Sequence, residues 1–232
     1  MTKKFLFLLM GLLLAVQFTA NADSLGSGTL NVDWKDPVVI YNGYYLDYDG
    51  TIASSTAPGI EDGFYEFIFC VSKDHANSVE EVDFYSIDSS LIDLQDIDSS
   101  SFLKIARAAW IADSYDDIMT ASYTALDAQI AIWAVTGVVP NIGNTYYIPS
   151  SATTISTGLA KSLYNLACSA ITENNYMDFT TDSWALAIDG TYSATGYQDY
   201  LVPNTSVPEP ATMLLLGTAL IGLATLNRKF LK

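Results

Sequence analysis

The spacing of apolar residues changes twice along the middle of this chain, and this change constrains the fold more than any other feature. Residues 64–71 form an almost continuous aromatic and β-branched run, which is typical of a buried strand. Strand-like patterns occur at 29–34, 38–41, 64–71, 184–188 and 197–202. Apolar residues recur at helical spacing in three segments, 102–110, 122–135 and 157–171. We therefore predict an α+β fold with a β-sheet core, sandwich or barrel-like, and a helical insertion of about three helices.

The first two predicted helices have recognisable ends. Ser100 or Ser101 can cap the first helix, and Gly137 should end the second. The second helix has one apolar stripe, and Gln129 lies at the edge of that stripe. We expect Trp133, one turn later, to shield Gln129 from water.

Both ends of the chain carry targeting signals. A basic start is followed by an apolar stretch at 5–16 and by a small-residue cleavage site that ends at Ala22. Residues 1–22 are therefore predicted to be a secretory signal peptide, so the protein should be exported. At the other end, a basic cluster follows an apolar stretch at 211–226. This stretch is either a single-pass anchor or a sorting helix that is removed after export.

The residues around the second apolar stretch resemble a known family of sorting signals. Pro208-Glu209-Pro210 leads into the stretch and a basic end follows it, as in the PEP-CTERM segment of Gram-negative bacteria. The resemblance implies transient membrane anchoring, removal of the tail by an exosortase, and delivery to the cell surface or extracellular matrix, often in producers of exopolysaccharide. The chain then divides into a signal peptide at 1–22, an ectodomain at 23–202, a linker with the sorting motif at 203–210, and a sorting helix with a basic tail at 211–232.

The charged residues exclude several classes of function. The chain has 26 acidic and 10 basic residues, so nucleic acid and anionic membrane surfaces are poor partners. His75 is the single histidine, and on an extended segment its side chain points away from that of Cys70, five residues earlier. A hydrolytic triad and a zinc site are therefore not expected. We predict no enzyme activity, no metal and no cofactor.

Two further sets of residues could bind ligands but have simpler interpretations. Six aspartates could offer oxygen ligands to calcium, although their spacing suits turns and helix caps better; they are Asp47, Asp49, Asp88, Asp93, Asp96 and Asp98. Four tyrosines could stack on sugars or pack in the ordinary way; they are Tyr44, Tyr45, Tyr146 and Tyr147.

The most specific chemistry comes from one cysteine and one glutamine. Cys70 lies near the end of the aromatic strand, and Gln129 begins the helical sequence Gln-Ile-Ala-Ile-Trp that ends at Trp133. This pair resembles the bacterial Cys-Gln thioester domain of surface adhesins. The resemblance implies that the Cys70 thiolate attacks the Gln129 carboxamide, expels ammonia and leaves an internal thioester that an amine can open. A thioester persists only where water is excluded, which suits a site walled by Phe69, Trp110 and Trp133.

Other interpretations of these residues stay open at this point. Cys70 could instead form a disulfide with Cys168, as is common in exported proteins, or both could be buried thiols. Gln129 could be a buried amide that backbone groups satisfy. The leading prediction is covalent attachment to an amine-bearing partner during adhesion or in a biofilm. The alternative is a non-covalent matrix or carbohydrate-binding module with the same sorting tail.

Overall fold

The computed structural model describes residues 24–34, 40–41, 44–45, 48–72, 80–92, 97–115, 123–139, 142–143, 145–148, 153–189 and 199–205. The predicted signal peptide, the Pro-Glu-Pro motif and the predicted sorting helix lie outside the described residues. The described residues belong to the predicted ectodomain and to the start of the linker.

Two antiparallel sheets and three α-helices make up the described fold. The strands of the larger sheet are β1 Gly26–Trp34, β4 Tyr48–Ala53, β5 Gly63–Tyr65, β6 Phe69–Cys70, β7 Glu80–Ile87, β10 Thr181–Ile188 and β11 Tyr200–Pro203, and their order is β5-β4-β1-β7-β10-β11-β6. Those of the smaller sheet are β2 Ile40–Tyr41, β3 Tyr44–Tyr45, β8 Thr145–Ile148 and β9 Thr153–Ser156, in the order β3-β2-β8-β9. The helices are α1 Ser99–Ser114, α2 Ala125–Thr136 and α3 Gly158–Ala170. The α+β prediction is confirmed.

The predicted strand at 64–71 is divided between the two edges of the larger sheet. β5 pairs with β4, β6 pairs with β11, and three residues separate β5 from β6. Between them, the Ile68 amide donates a hydrogen bond to the Tyr48 carbonyl at 3.4 Å, so the segment stays beside β4 until it reaches β11. One segment therefore supplies both edges, and the sheet closes on itself there in a barrel-like form.

Alternation along the strands sorts the core into two clusters, one on each face of the larger sheet. The inner cluster consists of Leu30, Val32, Tyr48, Ile52, Ala57, Ile60, Ile68, Cys70, Val82, Phe84, Ile130, Trp133, Val139, Ala160, Ala185, Ala187, Tyr200 and Val202. The outer cluster joins apolar residues of the three helices to the strand residues Phe69, Val71, Tyr85, Ile87, Trp184, Leu186, Ile188 and Leu201. The inner cluster therefore contains Cys70, and the outer cluster contains its neighbours on either side.

Helix α2 is buried on all sides, whereas the sequence predicted one buried stripe with Gln129 at its edge. Every residue from Asp127 to Trp133 is buried. The helix packs against α1, α3 and β6, and it contributes residues to both clusters. The prediction of a single buried stripe was wrong because three elements cover this helix. A helix that is covered in this way does not need a polar face toward solvent.

The helix ends agree with the sequence in part. Gly137 ends α2 in the left-handed conformation, with φ 88°, as predicted. The cap of α1 is Asp98 instead of Ser100 or Ser101, and its carboxylate accepts a hydrogen bond from the Ser101 amide at 2.7 Å. This bond holds the pKa of Asp98 below its usual value. Asp88 caps a short 3₁₀ turn in the same way, so the cap interpretation is confirmed for these two aspartates.

The start of the predicted linker is attached to the larger sheet. β11 continues to Pro203, the first residue of that segment. Two residues later, the Thr205 amide donates to the Gly59 carbonyl at 2.8 Å, and the Thr205 hydroxyl donates to the same oxygen at 2.9 Å. The folded part of the ectodomain therefore reaches Thr205.

Candidate functional site

Cys70 ends β6 at the edge of the larger sheet and is fully buried. It lies directly opposite Tyr200 of β11. The next residue, Val71, donates its amide hydrogen to the Asp199 carbonyl at 2.9 Å. Because successive residues of a strand turn their N–H and C=O groups to opposite sides, those of Cys70 point away from β11. The thiol donates to the Ser72 carbonyl at 3.1 Å.

The Gln129 side chain lies on the side of β6 that faces away from β11. Its Oε1 accepts a hydrogen bond from the Cys70 amide at 3.0 Å, and its Nε2 donates to the Cys70 carbonyl at 2.8 Å. The side-chain amide therefore pairs with one residue of β6 as a neighbouring strand would. Gln129 is 1% exposed, so bulk water does not compete for these bonds. The two residues that the sequence predicted as a pair are in contact.

This contact determines what the two side chains can do chemically. Two hydrogen bonds to one residue place the amide carbon of Gln129 beside the Cα of Cys70, and the thiol is attached to this same Cα through Cβ. The Cys70 N–H points at the amide oxygen, where negative charge develops when a nucleophile adds to the amide carbon. The amide thus completes the hydrogen bonding of the sheet edge, and the thiol itself donates to the Ser72 carbonyl.

Thr124 and Asp127 hold the start of α2, one turn before Gln129. The Thr124 hydroxyl accepts a hydrogen bond from the Asp127 amide at 3.2 Å, and the Asp127 carboxylate accepts one from the Thr124 amide at 3.1 Å. The hydroxyl also donates to that carboxylate at 2.8 Å. This capping box was missed in the sequence, although its signal, threonine followed three residues later by an acidic residue, was present.

Thr124→Ala is expected to lower the free energy of unfolding by about 1 kcal/mol, because the change removes the hydroxyl from the cap. Urea unfolding followed by circular dichroism measures the loss. Thr136→Ala is a matched control at the other end of α2, where the hydroxyl makes one long bond of 3.4 Å to the Trp133 carbonyl. An equal loss in the control would contradict the assignment of the cap as the stabilising feature.

The three aromatic residues predicted to wall the site lie on different faces of the sheet. Trp133 is 1% exposed and shares the inner cluster with Cys70. Phe69 is equally buried but belongs to the outer cluster, where its ring centroid lies 5.3 Å from that of Trp184. Trp110 of α1 is half-buried against the outer cluster. Of the three, Trp133 alone shares a cluster with the thiol.

Two buried polar residues on the same face as Cys70 were missed in the sequence. Tyr200 is fully buried, and Glu80, the first residue of β7, is 3% exposed. Glu80 lies on the same face of β7 as Val82 and Phe84 of the inner cluster, because residues two apart in a strand point the same way. Burial raises the pKa of Tyr200, and the neighbouring Cys70 and Glu80 raise it further. The phenol therefore keeps its proton across the physiological range.

Cys168, the possible disulfide partner, lies on α3 and is half-buried against the outer cluster. Cys70 lies in the inner cluster, on the other face of the sheet. Both cysteines are among the described residues, and neither is in a disulfide. The Cys70–Cys168 disulfide remains an alternative that a mass measurement can test.

The structure describes some of the other residues that were considered as binding sites for sugars or metal ions. The tyrosines proposed to stack on sugars all lie on strands of the smaller sheet; they are Tyr44, Tyr45, Tyr146 and Tyr147. Some of the other candidates lie outside the described residues; they are Asp47, His75, Asp93 and Asp96. Within the described part of the chain, no three His, Cys, Asp or Glu side chains come together in a group that could hold a metal ion.

A known sorting motif lies near the C-terminal end of the chain. Residues 206–229 match the PEP-CTERM protein-sorting motif. The match implies that the protein is exported, processed by an exosortase and delivered to the cell surface or extracellular space. No curated protein and no solved structure matches the chain. None of the helices in the described ranges is long and apolar enough to cross a membrane, and the predicted sorting helix is outside those ranges.

Proposed function

We propose that this protein forms an internal thioester between Cys70 and Gln129 and uses it to attach covalently to an amine-bearing partner at the cell surface or in the matrix. The sorting motif supports the location. The contact between the Gln129 amide and the Cys70 backbone is the observation that carries the chemistry. These residues are 59 positions apart and both are buried, so the fold itself brings them together.

The bond forms by acyl transfer from nitrogen to sulfur. The Cys70 thiol loses its proton, Sγ adds to the amide carbon of Gln129, and negative charge moves to Oε1, to which the Cys70 N–H donates. The C–N bond then breaks, and the nitrogen leaves as ammonia after taking up a proton. The thioester persists because Trp133 and the rest of the inner cluster exclude water from the thiol's face of the sheet.

The thioester is used once. An amine of the partner adds to the same carbon, the C–S bond breaks, and Cys70 regains its proton. The product is an amide between Gln129 and the partner, so the protein is an adhesin and not an enzyme. In this proposal the C-terminal helix holds the protein in the inner membrane of a Gram-negative bacterium until the exosortase removes it. The partner is a component of the surface or of an exopolysaccharide biofilm.

Mass spectrometry of the exported protein tests this proposal. The full chain is expressed for export, purified, and measured before and after incubation with methylamine. We expect a mass one ammonia below that of the processed sequence, which rises by one methylamine on treatment. Trypsin locates the bond, because cleavage leaves Cys70 in peptide 36–73 and Gln129 in peptide 108–161. The two peptides should be joined before methylamine and separate after it.

Cys70→Ala is expected to abolish both the missing ammonia and the uptake of methylamine, because the attacking sulfur is gone. Cys168→Ala is the matched control and should keep both signals. A wild-type mass two hydrogens low, restored by reductant, would instead show a Cys70–Cys168 disulfide and contradict the thioester. That result would favour a non-covalent module, for which the tyrosines of the smaller sheet are the first candidates for sugar binding.

A further inference from the structure

The last residues before the sorting motif are attached to one glycine in the loop between β4 and β5. Thr205 donates two hydrogen bonds to the Gly59 carbonyl, from its amide at 2.8 Å and from its hydroxyl at 2.9 Å. The Asn204 amide donates to the Ser183 carbonyl of β10 at 2.8 Å. We call these contacts of residues 204 and 205 the C-terminal attachment. The sorting motif begins with the next residue, Ser206, so it follows the folded body directly.

Gly59 fits this place because it has no side chain. Its φ is +81°, in the left-handed region that glycine favours. A Cβ atom at this position would lie 2.3 Å from Oδ1 of Asn204 and 2.8 Å from the Thr205 carbonyl oxygen. Oδ1 of Asn204 is buried and accepts no hydrogen bond from the described residues. Detachment would return this oxygen to water, so the C-terminal attachment is weaker than its hydrogen bonds alone suggest.

The loop that carries Gly59 is fixed to the larger sheet. The Thr56 amide donates to the Ser27 carbonyl of β1 at 2.8 Å, and the Ser27 amide donates to the Thr56 hydroxyl at 2.9 Å. Ile60 is 3% exposed and belongs to the inner cluster. When the C-terminal attachment opens, Gly59 therefore stays in place and residues 204–205 move.

The same loop also contacts the start of β1. A Cβ atom on Gly26, the first residue of this strand, would lie 2.5 Å from the Ala57 amide nitrogen, so the two backbones are in direct contact. The predicted signal peptide ends at Ala22, shortly before β1. Both segments that are predicted to enter the membrane therefore leave the body at the loop around Gly59. This places the loop on the side of the body that faces the membrane before the tail is removed.

The segment that joins the body to the motif is short. From Thr205 to Glu209 of the Pro-Glu-Pro sequence, a fully extended chain spans at most about 14 Å. A domain of this length has a radius of gyration of roughly 16 Å. While Thr205 is attached to Gly59, the body therefore leaves little room around the motif for an enzyme in the membrane to bind it.

We propose that the C-terminal attachment controls the removal of the tail, and that the exosortase binds the motif only after Asn204 and Thr205 have detached from Gly59. Detachment lengthens the free segment back to Pro203, the end of β11. A segment that opens and closes quickly is cleaved in proportion to the population of its open form. The strength of the attachment therefore determines how long each molecule stays in the membrane. This control operates with or without a thioester.

The rate of tail removal tests this control. The full chain is produced in a bacterium whose exosortase processes the wild type, labelled with heavy isotopes in a pulse, and followed by intact mass for loss of the tail. Thr205→Val removes the hydroxyl bond to Gly59 and should speed removal about fivefold, the change in the open population for one ordinary hydrogen bond. Thr205→Ser keeps the hydroxyl and should keep the wild-type rate. Equal rates in these two variants would overturn the proposal.

Gly59→Ala is expected to speed removal further, by roughly tenfold, because the added methyl group overlaps Asn204 and Thr205. Gly137→Ala is the matched control, since Gly137 is also left-handed, with φ +88°, but a Cβ atom there meets no other atom within 4 Å. The control carries similar backbone strain and should keep the wild-type rate. Slower removal in Gly59→Ala would mean that the attachment presents the motif, and this result would overturn the proposal. If Gly59→Ala is not exported, the two Thr205 variants decide.

An insertion separates access to the motif from other effects of the attachment. About twelve glycine and serine residues between Thr205 and Ser206 give the motif free reach while the attachment stays intact. Removal should then be fast, and Gly59→Ala should add nothing to it. An insertion variant that is processed no faster than the wild type would overturn the proposal, because access to the motif would not limit the rate.

Discussion

Replacing Gln129 with glutamate is expected to give a folded protein that contains no thioester and takes up no methylamine. Glutamate keeps the length of the side chain, and one of its oxygens can still accept the hydrogen bond from the Cys70 amide. A carboxylate does not acylate a thiol, because the carboxylate carbon is already electron-rich and the leaving group would be oxide. The intact mass should therefore equal that of the processed sequence before and after methylamine. Normal uptake by this variant would exclude Gln129 as the acyl donor.

The stability of the same variant, measured relative to the wild type, is expected to be highest in acid. In the wild type, Nε2 of Gln129 donates to the Cys70 carbonyl at 2.8 Å, and only a protonated carboxyl group can replace that donor. The folded state therefore holds the carboxyl proton more tightly than the unfolded state, in which a glutamate pKa is about 4.3. The stabilising bond is fully present below that pH and is lost as the pH rises through the raised pKa of the folded state. Urea midpoints of variant and wild type at several pH values test whether the variant loses stability relative to the wild type as the pH rises.

Trp133→Ala is expected to have the largest effect on stability, a loss of about 3–5 kcal/mol in the free energy of unfolding. Among the residues that the structure describes, Trp133 is the largest fully buried side chain, and it belongs to the same inner cluster as Cys70. The loss is a large fraction of the roughly 5–15 kcal/mol that stabilises a typical domain. Any thioester that still forms should hydrolyse faster, because water can reach the sulfur. Urea unfolding gives the first effect, and the gain of one water in the intact mass gives the second.

Trp110→Ala is the matched control for this prediction. It removes the same type of side chain from a half-buried position against the outer cluster. We expect a smaller loss of stability and an unchanged lifetime of the thioester. Equal hydrolysis in the two variants would mean that the inner cluster is not what excludes water from the bond.

The local parts of the fold and of the site could be predicted from the sequence. The three helices were recognised from the spacing of their apolar residues, and the end of α2 at Gly137 from its need for a left-handed residue. Cys70 and Gln129 were expected to lie together because each sits in a short motif, and the structure shows the Gln129 amide in contact with the Cys70 backbone. In each case the signal lies within a few neighbouring residues.

The parts that depend on distant pairing could not be predicted. The first half of segment 64–71 pairs with β4 and the second half with β11. Nothing in the sequence of the segment indicates this division, so the pattern predicts one strand. β7 was missed although Glu80, Val82 and Phe84 alternate with more polar residues, because an acidic residue at an inner position breaks the expected pattern. For the same reason, the burial of Glu80 could not be predicted.

The closure of the sheet at residues 63–70 also determines when the site forms during folding. Cys70 is positioned only when β6 has found β11, a strand 130 residues later by the Cys70–Tyr200 pairing, and when α2 has docked against β6. Contacts over such separations form slowly compared with local helices. A newly made or unfolded chain therefore contains a thiol and an amide that are both inert. The proposed thioester can therefore form only at the end of folding, after the sheet has closed. An incompletely folded chain carries no electrophile that could react with amines.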